Sequence, residues 1–300
     1  MTKKIKTTKN AEPARSPKSG AKKSVRSAMS VATSARKPVE ERVAALAEVP
    51  LAVCENDNDL QAVLKVFRDK DDPVEVRLAA LQTLQAASFS VIAFESCRGD
   101  YTAALREVAE DQDSELRQRV LGILSRDKDG FAQEKLLEGL QNPEKALVPP
   151  EKALQLLSYD AHAEAYSVAR EIVSVPPNSA AKREALRLLA ADATAAPMFE
   201  KILRDKSESP EIRQISASAL HAVEPEKLQE NARDILLDNS EQEEIQTMCL
   251  TALTQFGDVQ TVSDDKPLMR RINRLSGEAS EQVKQSAQQF LDKYADKSGK

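Results

Sequence analysis

Asp71-Asp72-Pro73-Val74-Glu75-Val76-Arg77 sets the cadence of this chain: an acidic turn, then an apolar–Arg pair that opens an Ala/Leu-rich segment. The phrase returns as Asp113-Ser114-Glu115-Leu116-Arg117 and as Ser209-Pro210-Glu211-Ile212-Arg213. Looser copies place Arg42, Lys152, Arg183, Gln246 and Lys284 in the Arg position, at steps of 30 to 40 residues. Self-similarity at such a period marks a solenoid, whose units cannot bury their apolar faces alone and must stack.

The segments around each turn read as helices. Leu60, Val63, Leu64 and Phe67 stand at i, i+3, i+4 and i+7, one face of a first helix that ends near Asp69. Asp72 then reads as an N-cap, with Pro73 at the first helical position and Glu75 completing a capping box. Val76, Ala80 and Leu84 line the inner face of the second helix. The same grammar pairs the Tyr101–Val108 and Leu116–Leu124 segments, and the Phe199–Leu203 and Ile212–Leu220 segments. It recurs in Leu228–Leu236 with Ile245–Leu253, and in Leu268–Leu275 with Val283–Leu291. Pro149-Pro150 and Pro176-Pro177 break helices where a turn before a second helix is due, and Gly257 and Gly277 fall in expected turns.

Composition fits an all-α chain. Aromatics are 4%, Trp is absent, and eight glycines interrupt 300 residues rich in Ala, Leu, Glu, Gln, Lys and Arg. No apolar run approaches the roughly 18 residues needed to span a membrane, and the first residues lack a secretory apolar stretch. Cys54, Cys97 and Cys249 are odd in number and widely spaced in apolar helical context. They read as small buried hydrophobes of a reducing, cytoplasmic compartment, not disulfides or zinc ligands.

Charge is distributed unevenly. Residues 1–38 hold eleven Lys/Arg against Glu12 alone, a net +10 in a chain whose total is −5, which leaves −15 on the rest. Rich in Ser, Thr, Ala and Pro, residues 1–37 are predicted to be a disordered basic arm, and residues 295–300 a disordered tail. Lys3, Lys4, Lys6, Lys9, Lys18, Lys22, Lys23 and Arg26 are its candidate polyanion contacts, weak, Coulombic and without sequence preference because no aromatic interleaves them. On this reading, deleting residues 1–37 leaves thermal stability nearly unchanged.

Residues 38–294 resemble the HEAT-repeat family, which carries an Asp in the intra-repeat turn and an Arg six positions later. Asp71/Arg77 and Asp111/Arg117 match in both residues, while Ser207/Arg213 keeps only the Arg. The resemblance implies a right-handed α-α superhelix in which Asp71, Arg77, Asp111, Arg117 and Arg213 form a structural ladder that fixes the angle between repeats. Tetratricopeptide repeats are the alternative architecture, but their large aromatic and Gly positions are missing here.

Little in the chain points to chemistry. His162 follows Tyr159-Asp160-Ala161 in an expected inter-helix turn, and His221 ends a second helix, where a C-terminal cap is the ordinary role of a lone His. Hydroxylases built on HEAT-like repeats need paired His-Glu dipeptides, and there are none. Gly-x-Ser-x-Gly and the phosphate-cradling Gly-rich loops are also missing. Ser125–Gly130 resembles half of a calcium loop but fails at both ends, with Leu136 where a bidentate Glu is required. The expectation is therefore a non-enzymatic scaffold for protein partners, without cofactor, metal or membrane contact. Its candidate partner-facing residues lie on second helices: Gln82, Gln85, Gln118, Lys182, Arg187, Gln214 and Ser218. The competing expectation is a nucleic-acid-associated factor whose arm contacts phosphates, and the lesser one a lyase-type enzyme on a HEAT-like fold.

Overall fold

The computed structural model describes residues 18–294 and divides between Leu124 and Ser125 into two compact units. Among the described residues every regular element is a helix. The first unit carries α1 (Lys18–Ala32), α2 (Val39–Ala47), α3 (Pro50–Val53), α4 (Asp57–Arg68), α5 (Val74–Ser88), α6 (Val91–Phe94), α7 (Arg98–Val108) and all but the last two residues of α8 (Ser114–Arg126). The second carries α9 (Gly130–Gln141), α10 (Pro150–Leu157), α11 (Ala163–Ser174), α12 (Ser179–Leu189), α13 (Ala196–Arg204), α14 (Pro210–Val223), α15 (Pro225–Leu237), α16 (Glu243–Phe256), α17 (Val259–Asp264), α18 (Lys266–Glu278) and α19 (Glu281–Tyr294).

Within each unit the helices stack as pairs. In the first, α1 packs on α2 and α4 on α5, while α2 meets α5 and α4 meets α7. In the second, α9/α10, α11/α12, α13/α14, α15/α16 and α18/α19 are the pairs, and the second helices α10, α12, α14, α16 and α19 touch in sequence. Each pair thus buries its apolar stripe against its own partner and against the next pair, as a repeat architecture requires. The core is aliphatic, with Leu60, Leu64, Phe67, Leu84, Leu186, Phe199, Leu220 and Leu250 fully buried.

The second half of the stretch expected as an arm is helical, while residues 1–17 lie outside the described residues. Lys18–Ala32 is helical, and its Ala28, Met29 and Ala32 are buried against α2. Val25, Ala28, Met29 and Ala32 stand at i, i+3, i+4 and i+7, an apolar stripe that small side chains and the surrounding Lys and Ser conceal. The repeats therefore begin before Pro38. Of the basic candidates, Lys18, Lys22, Lys23 and Arg26 belong to α1, whereas Lys3, Lys4, Lys6 and Lys9, like the tail 295–300, lie outside the described residues.

One device recurs at the fourth residue of the second helices. Arg42 of α2 donates from Nε to the Ala32 carbonyl at 3.1 Å and forks both Nη groups onto Asp72 at 2.7 Å each. Arg77 of α5 donates from Nε to the Phe67 carbonyl at 3.1 Å and from Nη2 to Asp111 at 2.6 Å. Arg213 of α14 donates to the Leu203 carbonyl at 2.8 Å and forks onto Glu241 at 2.8 and 2.7 Å. Each guanidinium satisfies a carbonyl at the end of its own first helix, one of the groups a helix leaves unpaired. It also reaches forward to the acidic turn of the next pair.

The rungs differ in detail from the sequence pattern. In the first turn Asp72 meets the Arg and Asp71 is exposed, its backbone N–H donating to Asp69. Asp72 is held by Arg42, and α5 starts at Val74 after Pro73 with no side-chain cap, contrary to the predicted capping box. Arg117 closes its own turn, donating to the carbonyls of Asp111 at 2.6 Å and Gln112 at 2.9 Å. Gln246 does the same to the Glu241 carbonyl at 2.9 Å. The fourth residue of α10 is Ala153, not Lys152, and that of α12 is Lys182, not Arg183; Lys182 pairs with Glu208. Gly277 lies inside α18, not in a turn. Gly257 does fall in a turn, where a Cβ would come within 2.7 Å of the buried Tyr294 hydroxyl, which donates to the Leu253 carbonyl at 2.6 Å.

Two outcomes follow. Deleting residues 1–37 uncovers α2 and strips Arg42 of its carbonyl, so the melting temperature should fall by at least about 5 °C in a thermal scan. Glu241→Gln should lose about 3–5 kcal/mol in urea titration, because it leaves the fully buried Arg213 uncompensated. Burial alone would push the Glu241 carboxyl up, but Arg213 and the Gln242 N–H outweigh it and hold it below its ordinary value. The pair's stabilisation is therefore complete above the ordinary carboxylate range of about 4 and is lost as pH falls through the lower folded value. Urea midpoints measured from pH 7 to pH 2 should fall less steeply in the variant.

Candidate interaction surface

The seven candidate positions do not share one environment. On α5, Gln82 is exposed and Gln85 half-buried, and Gln118 on α8 is half-buried. Lys182 is drawn into the ladder by Glu208 and belongs to the structure, not to a partner-facing surface. Arg187, Gln214 and Ser218 come together: with Ala190, Glu211, Ile215 and Ala219 they line an open depression of about 490 Å³ between α12 and α14.

Helix geometry positions these groups. Gln214 and Ser218 are one turn apart on the outer side of α14, and the Ser218 hydroxyl donates to the Gln214 carbonyl at 3.0 Å. Ser209 caps α14, its Oγ accepting the Ile212 N–H at 3.4 Å, with Pro210 at the first helical position. Arg187 is exposed and pairs with Glu184 one turn back, while Arg183 holds Glu211 at 2.9 Å. The result is an amide, a hydroxyl and a guanidinium around the side chains of Ile215 and Ala190. Such a mixed wall offers donors and acceptors to a peptide backbone and an apolar patch to its side chains.

Sequence reasoning overlooked the largest exposed apolar groups. Phe89 is 85% and Ile92 94% exposed, with Val91 beside them on the connection from α5 into α6. The signal was the run Phe89-Ser90-Val91-Ile92, which breaks the helical period just after α5. Phe94 ends that run facing inward, fully buried and edge-on to Tyr101 at 5.4 Å.

Both histidines lie at helix ends. His162 is an N-cap of α11, its Nδ1 accepting the Ala165 N–H at 3.3 Å, not a C-terminal cap. His221 lies in the last turn of α14 and stacks on Phe256 at 4.0 Å. All three cysteines are free thiols; burial pushes Cys54 up and Cys249 up to about 12, far from a reactive thiolate. Among the described residues no group of three or more His, Cys, Asp or Glu side chains is placed to hold a metal ion. No single helix among them is long and apolar enough to cross a membrane.

No protein-family model matches the chain and no curated protein sequence matches it, so the HEAT resemblance stays a resemblance. Among solved structures the chain is similar to human deoxyhypusine hydroxylase in complex with glycerol. The identity is 15% and the TM-score 0.35, over 82% of this chain and 99% of that one. It is also similar to the complex of CpcE and CpcF of phycocyanin lyase from a Nostoc species. There the identity is 16% and the TM-score 0.39, over 89% of this chain and 98% of that one. The expectation that the chain is not an enzyme is withdrawn, because these two similar structures are a hydroxylase and part of a lyase. At these identities and TM-scores the likeness assigns neither an activity nor a substrate to this chain.

The exposed apolar run separates surface from core in a direct way. Ile92→Glu should change stability by less than about 0.5 kcal/mol, whereas Phe94→Ala, two residues on, should cost about 3–5 kcal/mol. Thermal and urea unfolding of the two variants check this.

Proposed function

We propose that the chain presents a protein-binding surface on its second helices, centred on the depression between α12 and α14. The observation that carries this reading is the convergence of Arg187, Gln214 and Ser218 around Ile215, side chains supplied by neighbouring helix pairs and open to solvent. A solenoid uses such a face to receive extended segments or helices, since adjacent pairs place equivalent positions side by side. In the first unit the exposed Phe89 and Ile92 are a separate apolar feature of the kind that interfaces bury. The free thiols Cys54, Cys97 and Cys249 fit a cytoplasmic setting.

The test is a comparison of partners captured by the wild-type chain and by Gln214→Arg/Ser218→Trp, with nuclease treatment of both samples. The two substituted positions are exposed, so the melting temperature should stay within about 2 °C, while capture of the partners falls about tenfold or more. Unchanged capture by the variant would overturn the proposal, as would recovery of nucleic acid alone that nuclease removes.

A further inference from the structure

A second groove runs along first helices, away from the α12–α14 depression, between α9 and α11, with a volume of about 650 Å³. Gln133 of α9 lines it, is only 6% exposed, and neither its Oε1 nor its Nε2 has a hydrogen-bond partner. A buried primary amide with both ends unsatisfied is destabilising and rare in folded chains, so it calls for an occupant that pairs with it. Glu134 of α9 and Glu164 and Glu171 of α11 stand exposed around it.

Neighbouring first helices elsewhere neutralise their acids across the gap. Arg68 of α4 meets Glu107 of α7 at 2.8 Å, Arg204 of α13 meets Asp234 of α15 at 2.9 Å, and Arg233 of α15 meets Asp265 at the start of α18. Between α9 and α11, Glu138 is held by Lys145, but no basic side chain among the described residues pairs with Glu134, Glu164 or Glu171. His162 cannot supply the missing cation through Nδ1, which caps α11.

We propose that this groove binds a Lys-x-x-Lys segment of a partner protein in the polyproline II conformation. Glu164 and Glu171 are seven residues apart on one face of α11, roughly 10 Å along its axis. Three residues of a polyproline II chain make one full turn and rise about 9 Å, so the lysines of Lys-x-x-Lys face the same side and meet both carboxylates. Neither amide atom of Gln133 is open to the groove in the free chain, so binding turns the amide outward to pair with the backbone amide between the lysines, its one acceptor and two donors matching a peptide C=O and N–H. Leu137 and Val168 in the groove wall take the aliphatic stems of the lysines. A free polyamine carries the same charge but no peptide group, so Gln133 separates the two kinds of ligand.

Calorimetric titration of the full chain with acetyl-Ala-Lys-Ala-Ala-Lys-Ala-amide at low salt tests this. Glu164→Gln/Glu171→Gln should weaken binding about tenfold or more. Gln133→Leu should weaken the peptide about fivefold, leave spermine binding unchanged, and raise the melting temperature because it removes an unsatisfied buried amide. The isomer with adjacent lysines, acetyl-Ala-Lys-Lys-Ala-Ala-Ala-amide, should bind more weakly than the spaced one. The proposal is overturned if the double variant binds as wild type does, if the isomer binds equally well, or if spermine is weakened as much as the peptide. A lower melting temperature for Gln133→Leu also overturns it, since the amide would then be satisfied within the fold. None of these residues lines the α12–α14 depression, so the two proposals fail independently.

Discussion

A buried guanidinium that serves two helix pairs at once is the interaction on which the stacking depends. Arg213 is fully buried, which would be prohibitive for an isolated charge. It is accommodated because its fork meets both oxygens of Glu241 while Nε meets the Leu203 carbonyl. Removing any partner leaves a donor or a charge stranded, so the geometry between one pair and the next is narrowly set. Arginine suits the position because its donors are fixed in one plane. Lys182, at the equivalent position of α12, makes a single-point contact with Glu208 in a shallower, part-exposed setting.

The same logic explains much of the acidic excess. Asp69, Asp111, Asp205 and Asp238 each accept the backbone N–H two residues ahead, from Asp71, Asp113, Ser207 and Ser240. These turns need a short carboxylate to close them. Asp111 then carries a second duty toward Arg77, and its carboxyl is held below the ordinary range despite burial that would raise it. Asp238 is held low first by Lys206, which reaches across from the preceding turn, and then by Ser240. These carboxylates are thus committed to turn and rung chemistry and are not offered to partners.

The period, the helical class and the acidic turns are legible in the sequence because they depend on spacing and on residue types with narrow conformational roles. What escaped depends on one-residue phase and on size. Asp71 and Asp72 are interchangeable on paper, but only Asp72 lies where the Arg42 fork arrives; Arg183 and Lys182 likewise differ by about 100° around α12. Helix α1 was hidden because Ala28 and Ala32 bury little area each and sit among Lys and Ser, so composition argued for disorder where periodicity argued for a stripe. On the candidate surface, residue type and second-helix placement put Arg187, Gln214 and Ser218 on one side, yet nothing in a linear pattern separates them from Lys182. That separation is made by Glu208, a residue 26 positions away.

Where the ladder lapses, the chemistry changes. The fourth residue of α10 is Ala153, which cannot reach a carbonyl or a carboxylate, and a Pro-Pro pair and a short 3₁₀ turn at Pro143–Lys145 occupy the connection before it. The first helix of that same pair carries the unsatisfied Gln133 and contributes Glu134 to a groove whose acids lack the cross-helix arginines found at three other first-helix gaps. Had stability alone shaped this repeat, an apolar residue at position 133 and a basic one facing Glu164 would relieve both defects at once. The unpaired amide and the unpaired acids together are best understood as a surface kept for a ligand that brings its own positive charge and its own amide.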